Sequence, residues 1–92
     1  MNINNPYTPD KNTHYLVRNR NIRNSILKET DFYFALDVYE ALSDLQKIEI
    51  REYRQKLRDF INENKDNFEI KGIAWIDFPI APKWTNIQIP KY

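Results

Sequence analysis

Between Leu42 and Ile61 the apolar side chains recur at one spacing, and this limits what the chain can fold into. Leu42, Ile50, Tyr53, Leu57, Phe60 and Ile61 fall on a single face of a 3.6-residue helix, with Gln46 completing the repeat. Ser43 with Gln46 three residues on matches a capping box, and Asp44 in the first turn suits the positive end of the helix dipole. Leu42 before the cap fits a hydrophobic staple. The pattern predicts a helix from Ser43 to about Asn62–Asn64, near 30 Å long at about twenty residues. Glu52 and Lys56 form a favourably oriented i,i+4 pair, worth only a few tenths of a kcal/mol.

One helix buries nothing alone, so the rest of the chain must cover its stripe. A chain of 92 residues makes one small domain, burying roughly 60–65% of the surface its unfolded form exposes. An apolar content of 41% is enough for a modest core with polar arms. A second amphipathic segment is predicted over about Tyr15 to Lys28. Tyr15, Ile22 and Ile26 share a face there, flanked by Leu16 and Leu27. Arg23 falls within that apolar sector and needs an acidic partner if buried. Asp31 is the expected one, the alternative being that Arg23 reaches solvent along its stem.

Residues 30–42 crowd Phe32, Tyr33, Phe34, Leu36, Val38 and Tyr39 without Pro or Gly. They read as a hydrophobic connector folded onto the core, with room for one helical turn. The run Asn62-Glu63-Asn64-Lys65-Asp66-Asn67 reads as a polar break after the long helix. Residues 73–78 read as a short strand or an extended pass over the helices, with Trp75 and Phe78 covering the core. Pro79, Pro82 and Pro90 then exclude a helix. Asn86-Ile87-Gln88-Ile89 alternates like a strand. The expected fold is mainly α, a small two-helix hairpin with extended arms. Residues 1–13 form a flexible or partner-bound N-terminal arm, 14–82 a single small helical domain, and 83–92 an extended C-terminal tail rich in Pro and aromatics.

The arms are where partners are expected. Residues 1–13 are rich in Asn, Thr and Pro, with Ile3 and Tyr7 as the only large apolar side chains, too few to offset an ordering cost of about 1–2 kcal/mol per residue. Trp84, Ile87, Ile89 and Tyr92 on the tail look built to lie on another protein, for instance by adding to a sheet edge. Deletion of residues 84–92 is therefore expected to leave the fold intact and weaken partner binding.

Charge argues against a nucleic-acid partner. The net charge is +1, although its distribution is uneven. Lys11, Arg18, Arg20, Arg23 and Lys28 stand without an acid among them, and seven acids then lie between Glu29 and Glu52. Lys47, Arg51, Arg54 and Arg58 follow at i, i+4, i+7 and i+11 on one helix face. Phosphate binding is one reading of that stripe. The near-neutral balance favours the other, in which it meets the acidic connector through Glu29, Asp31, Asp37 and Glu40.

No reaction chemistry is legible. With zero cysteines there is neither a disulfide framework nor a thiolate metal site. His14 is the lone histidine, with no converging carboxylates at metal-ligand spacing. Ser43 is accounted for as a cap and Ser25 lies inside a helix, so neither makes a convincing Ser–His pair. One glycine offers no phosphate-cradling loop. Catalytic residues, metal ligands and cofactors are all expected to be none. No apolar run is long enough to span a membrane, and the first residues lack the pattern of a signal peptide. A cytosolic setting, or an assembly built in the cytosol, is expected.

Three blocks, Arg23–Phe32, Tyr53–Asp59 and Phe78–Pro82, in that order resemble the phage tail assembly chaperone family. Arg23-Asn24-Ser25-Ile26-Leu27-Lys28-Glu29-Thr30-Asp31-Phe32 resembles its R-N-x-L-L-x-x-T-D-W block, and Tyr53-Arg54-Gln55-Lys56-Leu57-Arg58-Asp59 is similar to its Y-R-Q-x-L-R-D block. Phe78-Pro79-Ile80-Ala81-Pro82 looks like its closing W-P-x-x-P. Phe32 and Phe78 stand where the family has tryptophan, as does Ile50 three residues before Tyr53, and each replacement keeps an apolar packing group. The match spans residues 18–82.

The resemblance implies a non-catalytic tail protein that binds another phage tail protein, a fibre or other tail component. It acts in the host cytoplasm during assembly, with a homo-oligomer within the tail as a further option. The alternative role is a permanent structural or adaptor component of the virion tail. A nucleic-acid-binding or host-takeover protein is the remaining alternative. The motif residues Arg23, Asn24, Thr30, Asp31, Phe32, Tyr53, Arg54, Leu57, Arg58, Asp59, Phe78, Pro79 and Pro82 are expected to be structural.

Overall fold

The computed structural model describes residues 13–91. Three helices and a 3-10 turn are formed, and there is no strand among the described residues. Helix α1 spans Thr13–Thr30, the 3-10 turn Asp31–Phe34, α2 Leu36–Ala41 and α3 Asp44–Glu69. The principal extents are 59 × 21 × 18 Å, so the molecule is elongated.

Helix α3 begins as its cap chemistry dictates. Ser43 Oγ accepts from the Gln46 amide at 3.1 Å, and Gln46 Oε1 accepts from the Ser43 amide at 2.9 Å. It ends later than its sequence suggests, at Glu69 rather than Asn62–Asn64. Phe68 is the reason. It is fully buried, seven residues past Ile61 and eight past Phe60, and it continues the apolar seam by one more repeat. The intervening polar run is the outer surface of the helix, with Asn64 Nδ2 donating back to the Phe60 carbonyl at 2.9 Å. The chain then leaves through Gly72 at φ 71°, a left-handed position where a Cβ would clash.

Helix α1 lies antiparallel to α3. Arg23 Nη1 donates to the Leu57 and Arg58 carbonyls, each at 3.2 Å, while Asp31 at the far end meets Arg54 at 3.2 Å. Leu16 and Ile26 of α1 join Tyr53, Leu57, Phe60, Ile61 and Phe68 of α3 in one buried cluster, with Phe78 closing it. Asn19 is also buried, which no polarity pattern foretells. Its Nδ2 donates to the Tyr15 carbonyl at 2.7 Å and to the Ala74 carbonyl at 3.2 Å. Arg18 donates to the same Ala74 carbonyl, so α1 grips the chain as it crosses.

The connector becomes the 3-10 turn and the six-residue α2. Tyr33 is its buried anchor, while Phe34 stacks on Tyr39 with ring centroids 5.2 Å apart. Residues 73–78 pass over the helices without forming a strand, and no ladder hydrogen bond joins them to another segment among the described residues. Trp75 and Phe78 cover the core as expected, Phe78 lying 4.8 Å from the Phe60 ring.

The tail beyond residue 82 does not trail away from the helices, contrary to expectation. Thr85 turns it, donating to the Pro82 carbonyl through its amide at 3.0 Å and its hydroxyl at 2.7 Å. Trp84 Nε1 donates to Glu49 Oε1 at 3.0 Å and its ring sits edge-on to Tyr33 at 5.4 Å. The Asn86 amide donates to the Tyr33 hydroxyl at 2.9 Å, and Ile87 and Ile89 pack against the core. A two-faced alternation is satisfied here by the chain's own helices.

Candidate protein-docking surface

The residues of the three sequence blocks converge. Arg23 of the first holds carbonyls of the second, and its Nε donates to Asn24 Oδ1 at 2.9 Å. Asp31 pairs with Arg54 and not, as expected, with Arg23, because Arg23 lies beside Leu57 and Arg58, one helical turn further along α3. Thr30 is buried with its hydroxyl on the Leu27 carbonyl. Leu57 is fully buried between the helices, while Asp59 faces outward and accepts from Gln55 Nε2 at 2.9 Å.

Tyr53 ties the second block to the third. Its hydroxyl donates to the Pro79 carbonyl at 2.9 Å. Burial, and then the negative charge of Glu29, pushes this phenol up to about 12. Arg23 is shifted the opposite way, below the ordinary guanidinium value, by desolvation first and then by Arg20 and Arg58. Phe78 is buried, but Phe32 is 63% exposed and does not pack into the core. The 3-10 turn directs Tyr33 inward and leaves Phe32 outside.

The basic stripe meets the connector mostly through aromatic rings. Arg54 alone finds an acid, Asp31, and its guanidinium lies 4.6 Å from the centre of the Phe34 ring. Arg51 donates to the Tyr39 hydroxyl at 2.6 Å, and Lys47 Nζ lies 5.3 Å from the Tyr39 ring centre. Among the described residues no ion pair joins the stripe to Glu29, Asp37 or Glu40. Asp37 Oδ1 instead accepts from the Val38 amide at the start of α2. Between Phe34 and the three arginines lies an open groove of about 510 Å³.

The C-terminal segment forms a second opening. Residues 76–81 and 86–91 are two legs without helix or strand, joined by the turn at 82–85, and among the described residues no backbone hydrogen bond joins them. A cleft of about 600 Å³ lies between them, lined by Asp77, Phe78 and Ile80 on one side and Gln88, Ile89 and Lys91 on the other. Ile80 is 87% exposed. Of the expected partner-binding residues, Trp84, Ile87 and Ile89 are part-buried on the chain's own core. Ile3, Tyr7 and Tyr92 lie outside the described residues, as does all of the N-terminal arm except Thr13. The outward features missed by the sequence reading are Ile80 and the unpaired main chain, for which the proline spacing is the available signal.

His14 is exposed and lies against Tyr15. Ser25 Oγ donates to the Asn21 carbonyl at 3.2 Å. Among the described residues no three metal-ligating side chains cluster, and no helix is long and apolar enough to cross a membrane. No family model, curated protein or solved structure matches the chain.

Proposed function

We propose that this chain is a non-catalytic protein-binding module of a phage tail, acting in tail or tail-fibre assembly. Its architecture in this role is a helical hairpin of α1 and α3 that presents an extended C-terminal segment to another tail protein, in the host cytoplasm during assembly. The observation that carries the reading is the pair of unladdered legs with the cleft between them. Extended backbone with free N–H and C=O groups is a template for β-augmentation, in which main-chain hydrogen bonds supply affinity and side-chain pockets supply selectivity. The cleft offers both, with Phe78 and Ile89 as apolar walls and Asp77 and Lys91 as charged ones. The resemblance to the tail assembly chaperone family supplies the setting. In the structure the first block contacts the second through Arg23 and Asp31, and the second contacts the third through Tyr53.

The alternative within the same class is a permanent adaptor of the virion tail, favoured by the elongated 59 Å shape, which suits a bridge between neighbours. Quantitative mass spectrometry of purified particles separates the two. A fixed integer ratio to the major tail protein makes the chain a structural component. Absence from particles with presence in infected-cell complexes makes it an assembly factor. Absence from both contradicts the tail reading altogether.

A further inference from the structure

Helix α3 carries two charge stripes with the same spacing, one basic and the other acidic at three of its four positions. Lys47, Arg51, Arg54 and Arg58 stand at i, i+4, i+7 and i+11, and five residues later Glu52, Lys56, Asp59 and Glu63 repeat that pattern. At about 100° per residue the stripes lie on the two flanks of the helix face turned away from α1. Both have the same length, about 16 Å for eleven residues. The connector engages part of the basic stripe, with Arg51 on the Tyr39 hydroxyl and Lys47 over the Tyr39 ring, but supplies it with a single carboxylate. Among the described residues the one ion pair is Arg54 with Asp31, and Arg51, Glu52, Arg58 and Glu63 are exposed.

We propose that the basic flank of α3 docks the acidic flank of α3 in a second copy of this chain, with the two helices antiparallel. In that arrangement Lys47 meets Glu63 of the second copy, Arg51 meets its Asp59 and Arg58 meets its Glu52. The one like-charged rung, Arg54 against Lys56, falls on the arginine already neutralised by Asp31 and only 22% exposed. A parallel arrangement instead sets exposed Arg51 against Lys56 and relies on Arg54, so it fits less well. The groove of about 510 Å³ beside Phe34 opens between Arg51 and Arg58 and gives the incoming carboxylates a partly apolar, less solvated seat. Because each copy uses one flank and leaves the other free, the contact is heterologous and propagates to a ring or a row. The pairing does not depend on the C-terminal cleft, and either can fail without the other.

The test is sedimentation velocity at low and high salt on the full chain and on R51E/R58E and E52K/E63K, each checked for helicity by circular dichroism. Wild type is expected to associate at low salt with increasing concentration and to dissociate at high salt. Each variant alone remains a monomer. An equimolar mixture gives a 1:1 pair that grows no further, since one copy retains the acidic flank and the other the basic one. A wild type monomeric at every concentration overturns the proposal, and so do variants that assemble like wild type or a mixture that stays monomeric. A monomer that binds a single-stranded DNA oligonucleotide with steep salt dependence, lost in R51E/R58E, assigns the stripe to phosphate and also overturns it.

Discussion

Tyr53 shows how one polar atom joins a helix to a strand-like segment. Its phenol is buried at the edge of the core yet donates to Pro79, a residue that has a carbonyl to offer and no N–H. Replacing it with phenylalanine removes that bond at a cost of about 1 kcal/mol at neutral pH, read from urea denaturation. The pH dependence is more distinctive. In the unfolded chain the phenol titrates near 10, roughly the model-peptide value, and in the folded chain at about 12. Below about pH 10 both states keep the proton and stability does not depend on it. Above that value the unfolded chain loses the proton first, so stability falls as pH rises toward about 12. Tyr53→Phe should flatten that fall, and an unchanged alkaline slope would place the phenol elsewhere. Asp31→Asn makes the contrasting case. Its partner is mostly covered but Asp31 itself is 63% exposed, so the loss should be about 1 kcal/mol or less.

At the scale of elements, α3 is the part that its own sequence specifies most fully. Leu57 has no exposed surface, and truncation to alanine is expected to cost roughly 2–5 kcal/mol in a denaturant series. The start of α3 is local chemistry, a serine and a glutamine three residues apart, and is therefore legible. Its end is not, because Asn62 to Asn67 is the composition of a loop and only Phe68, packed against Phe60 at 6.3 Å, keeps the helix going. Asn64→Pro tests this directly. Inside a helix it should cost about 3 kcal/mol or more, whereas in a loop it would be nearly neutral. The choice of partner for Arg23 was illegible for a similar reason. Nearness in sequence pointed to Asp31, while the antiparallel register of α1 on α3 gives Asp31 to Arg54. Buried Asn19 is harder still, since its role depends on a carbonyl 55 residues away.

For the whole molecule, the C-terminal segment completes the core and, in the proposed role, is also the docking edge. Its aromatic and proline content was visible in the sequence, but its path was not. Trp84 meets Glu49 across 35 residues and Asn86 meets Tyr33 across 53, contacts that no local pattern encodes. Deleting residues 84–92 should therefore lower the stability of the isolated chain, seen as a shift in the denaturation midpoint. A fold left unchanged would return the tail to the status of a free arm. The central claim is that the legs bind another tail protein through main-chain groups, and substitution at Ile80 tests it with least disturbance. Ile80→Pro removes an N–H that has no acceptor among the described residues and leaves the core side chains in place. The measurement is affinity purification of tagged wild-type and Ile80→Pro chains from phage-infected cells that express them, with bound proteins identified and quantified. The prediction is a phage tail protein held stoichiometrically by the wild type and lost from the equally folded variant. Recovery of no tail protein, or of one held equally by both chains, would contradict it.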